Sequence, residues 1–296
     1  MNDADLTGSL LARCSFPAAG ASVVCAVSGG ADSLALLVLA VAAQCDVTAV
    51  HIDHGLRDGS DTEADVVRAA AERFGAAFEA RTVHLDPGPN LEARARAARR
   101  SVLPPGALTG HTADDQAETV LLNLLRGAGL DGLRGMRPET KPLLRLRRAD
   151  THALCATLGL AVVHDPSNCD PAIRRNRVRH ELLPALDDIA ARDVVPLLAR
   201  QAALLADDAD LLDALAAGLD PTDGKALAAA PLPLARRAVR TWLRATADDE
   251  SHPPDAATVE RVLAVARGDA VACDVGGGRR VCRSQNRLRL EVGSAS

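Results

Sequence analysis

The chain of 296 residues has no tyrosine, a single tryptophan (Trp242) and three phenylalanines (Phe16, Phe74, Phe78). Its core must therefore be built from Leu, Val and Ala. Lysine is confined to Lys141 and Lys225, so arginine carries almost all of the positive charge. That bias is compositional and points to no function. The seven cysteines (14, 25, 45, 155, 169, 273 and 282) include no Cys-x-x-Cys pair, which speaks against a redox motif. An odd, scattered set with no recognisable leader predicts a reducing, cytoplasmic setting. Cys25 lies in an apolar run and reads as a small core residue. The longest apolar run, Leu34 to Ala43, is far short of the roughly 20 residues a membrane helix needs. No membrane association is expected. Low-complexity tracts and clear repeats are also lacking.

What is present is a chain long enough for one large domain and a smaller one. Its net charge is −5, which by itself argues against a nucleic-acid partner. The charge is segregated, however. Residues 90–180 carry 15 basic against 9 acidic residues, and the remainder 19 against 30. The middle of the chain is able to attract phosphates, although solvated helix faces would read the same way.

The first half alternates strands and helices. Strands are expected at 22–27, 47–52, 77–83 and 107–109, with helices at 33–44, 62–74, 91–100 and 114–126. This spacing predicts right-handed βαβ units in a mostly parallel, doubly wound sheet of the α/β class. Residues 127–148, rich in Gly, Arg and Pro, read as loop. A short helix is expected at 150–160 and a loop running into a helix at 165–179. From about 194 the pattern is helical to about 215, with further helices near 231–245 and 256–267. The tail, 270–274 and 280–292 around a run of three glycines, reads as a β-hairpin. The expected domains are 1–190 and a smaller, mainly helical 191–296.

The most specific stretch is Ser28-Gly29-Gly30-Ala31-Asp32-Ser33. A Val-rich strand ends abruptly, two glycines follow, and a helix begins. Glycines let backbone N–H groups approach an anion without Cβ obstruction, and the helix N-terminus adds unpaired donors and partial positive charge. The turn is built for a phosphate group, most plausibly pyrophosphate. No Gly-Lys-Ser/Thr follows, so it is not a Walker loop, and it lacks the Gly-x-Gly-x-x-Gly dinucleotide pattern. A second stretch, Gly110-His111-Thr112-Ala113-Asp114-Asp115-Gln116-Ala117-Glu118-Thr119, sets His111 and Asp115 beside a helix cap that Thr112 or Asp114 supplies. Histidine and carboxylates beside a polyphosphate suit Mg²⁺ binding and stabilisation of departing charge. Asp114 and Glu118 could equally be ordinary first-turn acids. His51 and Asp53 end the second strand. With His54 they would suit zinc, but no third ligand follows at structural spacing. A nucleotide-pocket role, with His54 and Arg57 near base or substrate, is the better reading. Ser28, His51, Asp53 and His111 all fall at or after strand ends, where open α/β sheets bind ligands.

Ser-Gly-Gly-x-Asp-Ser resembles the PP-loop of the N-type ATP pyrophosphatases, an adenine nucleotide alpha hydrolase-like fold. In order along the chain come His51-x-Asp-His-Gly-Leu-Arg57, Asn90-Leu-Glu-Ala-Arg94-Ala-Arg96, Gly110-His-x-x-Asp-Asp-Gln-Ala-Glu-Thr119, Arg126-Gly-Ala-Gly-Leu-x-Gly-Leu133, Lys141-Pro-Leu-Leu144, Asp165-Pro-Ser-Asn168 and Arg175-Asn-Arg-Val-Arg179. This series resembles the tRNA(Ile)-lysidine synthase family over about residues 22–185.

The resemblance implies that ATP adenylates the carbonyl oxygen at carbon 2 of the wobble cytidine in a CAU anticodon. Free L-lysine then displaces AMP to give lysidine. By carry-over Ser28, Gly29, Gly30, Ala31, Asp32, Ser33, His51 and Asp53 hold ATP. Asp32, His111 and Asp115 are the catalytic set, with Mg²⁺ at Asp32 and Asp115. His54, Arg57, Arg94, Arg175, Asn176 and Arg179 face isoleucine tRNA or substrate. A homodimer is a further expectation. The chain departs from the family pattern at Arg100-Ser101, where Arg-Tyr is frequent, and at Lys141, where arginine is usual. With so few aromatics, base stacking must use arginine planes or apolar contacts. Alternatives are a cytidine tRNA thiolase, which the missing Cys-x-x-Cys disfavours, a small-molecule amide-forming ligase, and a non-catalytic nucleotide-binding protein.

Overall fold

The computed structural model describes residues 3–53, 61–83, 94, 98, 101–165, 170–246 and 254–292. They form two compact units, 1–204 and 205–296. The division falls inside the long helix Val195–Ala216.

The first unit is organised by four parallel strands: β1 (Ser22–Ala26), β2 (Asp46–Asp53), β3 (Ala77–Thr82) and β4 (Leu108–Thr109), in spatial order β3-β2-β1-β4. β2 and β1 are the two inner strands, each paired on both sides, and all of β1 after Ser22 is apolar. Cys25 is fully buried there, in the role of a small core residue. Between the strands run α1 (Asp3–Leu11, ahead of β1), α2 (Ala31–Ala42), α3 (Asp61–Phe74) and, after β4, α4 (Ala113–Leu125). α2 is apolar on nearly every side, and Leu34, Leu36, Leu37 and Leu39 are fully buried. Such a helix can only sit inside a core, and it closes one against β1, β2, α1 and the later helix α5 (Arg148–Thr157). A smaller core joins α4 to residues 178–199.

Two expectations for this unit change. The loop at 127–148 contains a helical turn at Leu130–Leu133 and a 3₁₀ turn at Pro138–Thr140. The following helix begins at Arg148, because the Asp150 carboxylate accepts the Arg147 backbone N–H at 2.7 Å and caps it. After Arg174–Arg177 the chain widens into a π-helical stretch, Val178–Leu182, and continues as Leu183–Ala190. The helix expected at 91–100 lies outside the described residues apart from Arg94 and Ala98, which are helical.

The second unit packs Gly224–Ala229, Leu232–Ala245 and Ala256–Arg267 with an antiparallel sheet of β5 (Ala272–Gly276), β6 (Arg279–Ser284) and β7 (Arg287–Val292). The tail is therefore a three-stranded meander, not a hairpin alone. Gln285 and Asn286 both take positive φ, 48° and 63°, as the tight turn between two twisted strands requires. Neither residue is a glycine, so the turn left little mark in the sequence. Among the described residues no helix is long and apolar enough to cross a membrane.

Candidate functional site

The site lies at the carboxyl ends of the strands. Past β1 the backbone turns through Gly29, whose φ of +85° disfavours any side chain, and Gly30 caps α2. A Cβ on Gly29 would lie 2.7 Å from Val163 Cγ2. The Gly29 carbonyl also accepts the Val163 N–H at 3.0 Å. Ser33 is turned inward and only 8% exposed. Its hydroxyl donates to the Gly30 carbonyl at 2.8 Å and accepts the Ser28 N–H at 3.1 Å, with Ser28 Oγ 3.2 Å away. Ser33 thus braces the loop, leaving the first helical N–H groups at Ala31 and Asp32 without intrahelical partners, as at any helix start. That is the arrangement an anion needs.

His51 is buried on β2, and its Nδ1 lies 3.0 Å from the Val27 carbonyl at the end of β1. Its Nε2 is buried without a hydrogen-bond partner. His51 and Asp53 help line a hollow of about 260 Å³ together with Arg68, Arg81 and Thr82. A buried orphan nitrogen is costly unless something reaches it. His54 and Arg57 lie outside the described residues.

Beyond β4, His111 Nδ1 sits 2.8 Å from Thr109 Oγ1. Asp115 accepts both the backbone N–H and the hydroxyl of Thr112, at 2.8 and 3.0 Å, which locks the first turn of α4. Around Asp115 the structure gathers a cluster that local reading of the sequence did not foresee. Arg148, from the segment read as loop, places Nε 3.5 Å from Asp32 Oδ2 and Nη2 3.2 Å from both Asp115 Oδ1 and Glu118 Oε1. Thr151 donates its hydroxyl to Asp32. Glu118 is fully buried and also meets Arg175 Nε at 2.6 Å and Arg179 Nε at 2.7 Å. Arg175 Nη2 reaches Asp115 Oδ1 at 2.9 Å. Asp114 accepts from Arg147 Nη2 at 3.0 Å and from the Arg148 N–H at 2.8 Å.

Arg175 and Arg179, expected to face RNA, thus lie against the carboxylates in this structure. Asn176 is buried, with Nδ2 donating to the Asp170 carbonyl at 2.9 Å. Arg94 is half-buried on its helix. Glu118 is a structural counter-ion rather than a decorating first-turn acid. The helix α5 is expected at 150–160 from its pattern; its earlier start, which brings in Arg148, is signalled by Asp150, three residues after Arg147, in capping position.

The two central carboxylates are driven apart in acidity. Burial raises the Asp32 pKa, and nearby Asp115 adds to this; Thr151, Arg148 and His152 offset it only in part. Burial opposes the charge of Asp115 too, but Arg148, Arg175, the Thr112 N–H and His111 outweigh it and hold its pKa below the usual carboxylate value. Cys155, against α2, has a thiol pushed up to about 11 by burial, so it is no nucleophile at neutral pH. Among the described residues no three His, Cys, Asp or Glu side chains gather as a metal cage. Asp32 and Asp115 remain a pair of hard oxygen donors, the kind Mg²⁺ takes along with phosphate oxygens.

Comparison with known proteins agrees with this geometry. Residues 9–186 match the model of a PP-loop domain, and residues 224–289 that of a TilS substrate binding domain. The chain is 41% identical to a tRNA(Ile)-lysidine synthase of Nocardia farcinica over 94% of its own length and 93% of the relative's. It is 45% identical to the tRNA(Ile)-lysidine synthase of Mycolicibacterium paratuberculosis over 74% of this chain and 73% of that one. Among solved structures, a U34-tRNA thiolase from Methanococcus maripaludis superposes with a TM-score of 0.55 at 18% identity. It covers 69% of this chain and 78% of its own, a likeness of fold alone. With a PP-loop domain over more than half its length and relatives that match it nearly end to end, the chain belongs to the tRNA(Ile)-lysidine synthase family.

Proposed function

We propose that this protein ligates free lysine to carbon 2 of the wobble cytidine in the CAU anticodon of isoleucine tRNA, through an adenylated cytidine, with release of pyrophosphate and AMP. The observation that carries the reading is the meeting of Asp32 and Asp115 across Arg148 at the mouth of a phosphate-binding turn, in a chain 41% identical to a named synthase along nearly its whole length.

The turn at Ser28–Ser33 receives the phosphates, with Gly29 and Gly30 giving the backbone clearance and Ser33 keeping its shape. His51 Nε2 and Asp53 offer polar contacts to the nucleoside. Mg²⁺ would be held by Asp32 and Asp115 and would supply neutralisation of the departing pyrophosphate. His111 stands at the strand end beside Asp115, placed to stabilise charge that develops on adenylation. The arginines of the cluster provide planar forks for phosphate or carboxylate. Arg94, and His54 and Arg57 from their place in the sequence, are assigned to substrate.

The decisive assay supplies purified protein with ATP, Mg²⁺, labelled lysine and a CAU-anticodon tRNA transcript. Label is expected in the RNA, with lysine-dependent AMP release. Entry of another amine or of sulfur in place of lysine would overturn the reading.

The second unit supports an RNA partner through its charge. Residues 270–292 hold five arginines against Asp274 and Glu291. On β6, Val281 is buried, so by strand alternation Arg280 stands on the opposite, open face, alongside Arg289 and Arg287 of β7. The charge reversals Arg280→Glu and Arg289→Glu together are expected to weaken tRNA binding about tenfold or more and to lower the salt slope by about two. Anisotropy titrations across a salt series check this. An unchanged slope removes that face from the interface. The protein is assigned to the cytoplasm, where its substrate resides, and to a homodimer, for which sedimentation is expected to give twice the mass of the chain.

A further inference from the structure

Arg148 occupies a particular place. Its guanidinium is 22% exposed and reaches carboxylates from two elements: Asp32 at the start of α2, and Asp115 and Glu118 on α4. Its backbone is fixed as firmly as its head. The N–H is taken by Asp114 at 2.8 Å, and the carbonyl lies 2.8 Å from the Thr151 hydroxyl, which has a single proton to donate. The same hydroxyl reaches Asp32. Among the described residues, three carboxylates (Asp32, Asp115, Glu118) and three arginines (Arg148, Arg175, Arg179) form the inner cluster. Its formal charge is zero.

A balanced cluster offers little to an entering cation. The two carboxylates suited to a metal are each already in contact with Arg148. We propose that Arg148 is a built-in placeholder cation. In the nucleotide-free protein it fills the position between Asp32 and Asp115, and it gives way only when phosphates enter the Ser28–Ser33 turn. The inference rests on the reading of that turn as the nucleotide site. ATP changes the balance because its phosphates are strong acceptors for a planar fork. They draw the guanidinium away from Asp32 and Asp115, which leaves Asp32 with Thr151 and Asp115 with Arg175 and Thr112 and lowers the positive charge that opposes a metal between them. Metal binding is thereby made conditional on nucleotide. Arg148 is a positioning residue in this scheme. Its task is to control when the carboxylates become ligands.

The test uses the full-length protein and Mn²⁺ as a spectroscopic stand-in for Mg²⁺, with binding read by electron paramagnetic resonance without nucleotide, lysine or RNA. Wild type is expected to bind Mn²⁺ weakly, and Arg148→Gln about tenfold more tightly, within the usual range for coupled sites. A non-hydrolysable ATP analogue should tighten binding to wild type and should narrow the gap to the variant. Equal affinities of the two proteins without nucleotide, or tight binding to wild type, would overturn the proposal. Should Arg148→Gln fail to fold, Arg148→Lys keeps one positive charge but cannot bridge the carboxylates, so it should still bind Mn²⁺ more tightly than wild type; equality there would count equally against the proposal. Because neither lysine nor RNA is present, failure of this test leaves the ligase reading intact. Failure of lysine incorporation would likewise leave the metal coupling standing.

Discussion

Glu118→Gln is expected to lower the melting temperature of the first unit by about 6 to 20 °C. Glu118 has no exposed surface, and its two oxygens receive Arg175 at 2.6 Å, Arg179 at 2.7 Å and Arg148 at 3.2 Å. Glutamine keeps the shape but removes the charge. Three guanidinium groups are then crowded together with only Asp115 and Asp32 to answer them. Breaking a buried charge arrangement from one side costs about 3–5 kcal/mol, far more than the pair contributes over an apolar replacement. For a unit of about 200 residues each kcal/mol moves the midpoint by about 2–4 °C. Arg179→Met should cost less, because Glu118 retains two partners and the long apolar side chain fills the space. Combining the two changes should recover part of the loss, as charges are removed from both sides. Circular dichroism melts decide the matter. A Glu118→Gln midpoint within about 2 °C of wild type would mean that the cluster is solvated and that its charges are weakly coupled.

The largest catalytic effect is expected from Gly110→Ala, a change of one methyl group. Gly110 follows β4, which pairs with β1 through Cys25–Leu108 and Ala26–Thr109. A Cβ there would stand 2.5 Å from the Asp32 carbonyl oxygen, 2.7 Å from its carbon and 3.0 Å from the Ser33 nitrogen. Those are backbone atoms of the first turn of α2, with no rotamer by which to escape. Either β4 or the Ser28–Ser33 turn must shift. Misplacing reacting groups by about 1 Å can cost about a hundredfold in rate, and a loss of that order is expected in AMP release. The fold should survive, because the core around Leu34–Leu39 is untouched. Gly8→Ala in α1 is the control, since nothing lies within 4 Å of the added carbon. Wild-type turnover in Gly110→Ala would show that the loop after β4 is free to move and does not set the geometry of the turn.

These two sites differ in how far the sequence announces them. Gly110 and Glu118 both stand in a recognisable stretch, yet the reason each is needed is invisible there. Gly110 is required by the Asp32 backbone, far off in the chain. Glu118 sits in the second turn of α4, where an acid carries no special signal, and only the packing of α4 against residues 178–199 buries it. Arg175 and Arg179 show the converse. The family resemblance implies that they face tRNA or substrate, while the structure turns both toward Glu118. The tail's pattern predicts a hairpin and the structure has three strands, because the Gln285-Asn286 turn takes its left-handed geometry without glycine.

The strands of the first unit, the glycine turn after β1 and the capped start of α4 were determined by the sequence itself. Each obeys a rule that acts within a few residues: apolar runs of strand length, a backbone angle that glycine tolerates, a side chain that satisfies the N–H groups at a helix start. Which charges meet was decided only by tertiary structure. Thr151 touches Asp32 across 119 positions of chain and Arg175 reaches Asp115 across 60. Such pairings follow from how α5 docks on α2 and how residues 174–182 approach α4. Burial then converts them from solvated neighbours into a coupled set, because an ion removed from water must find its counter-ion in the fold.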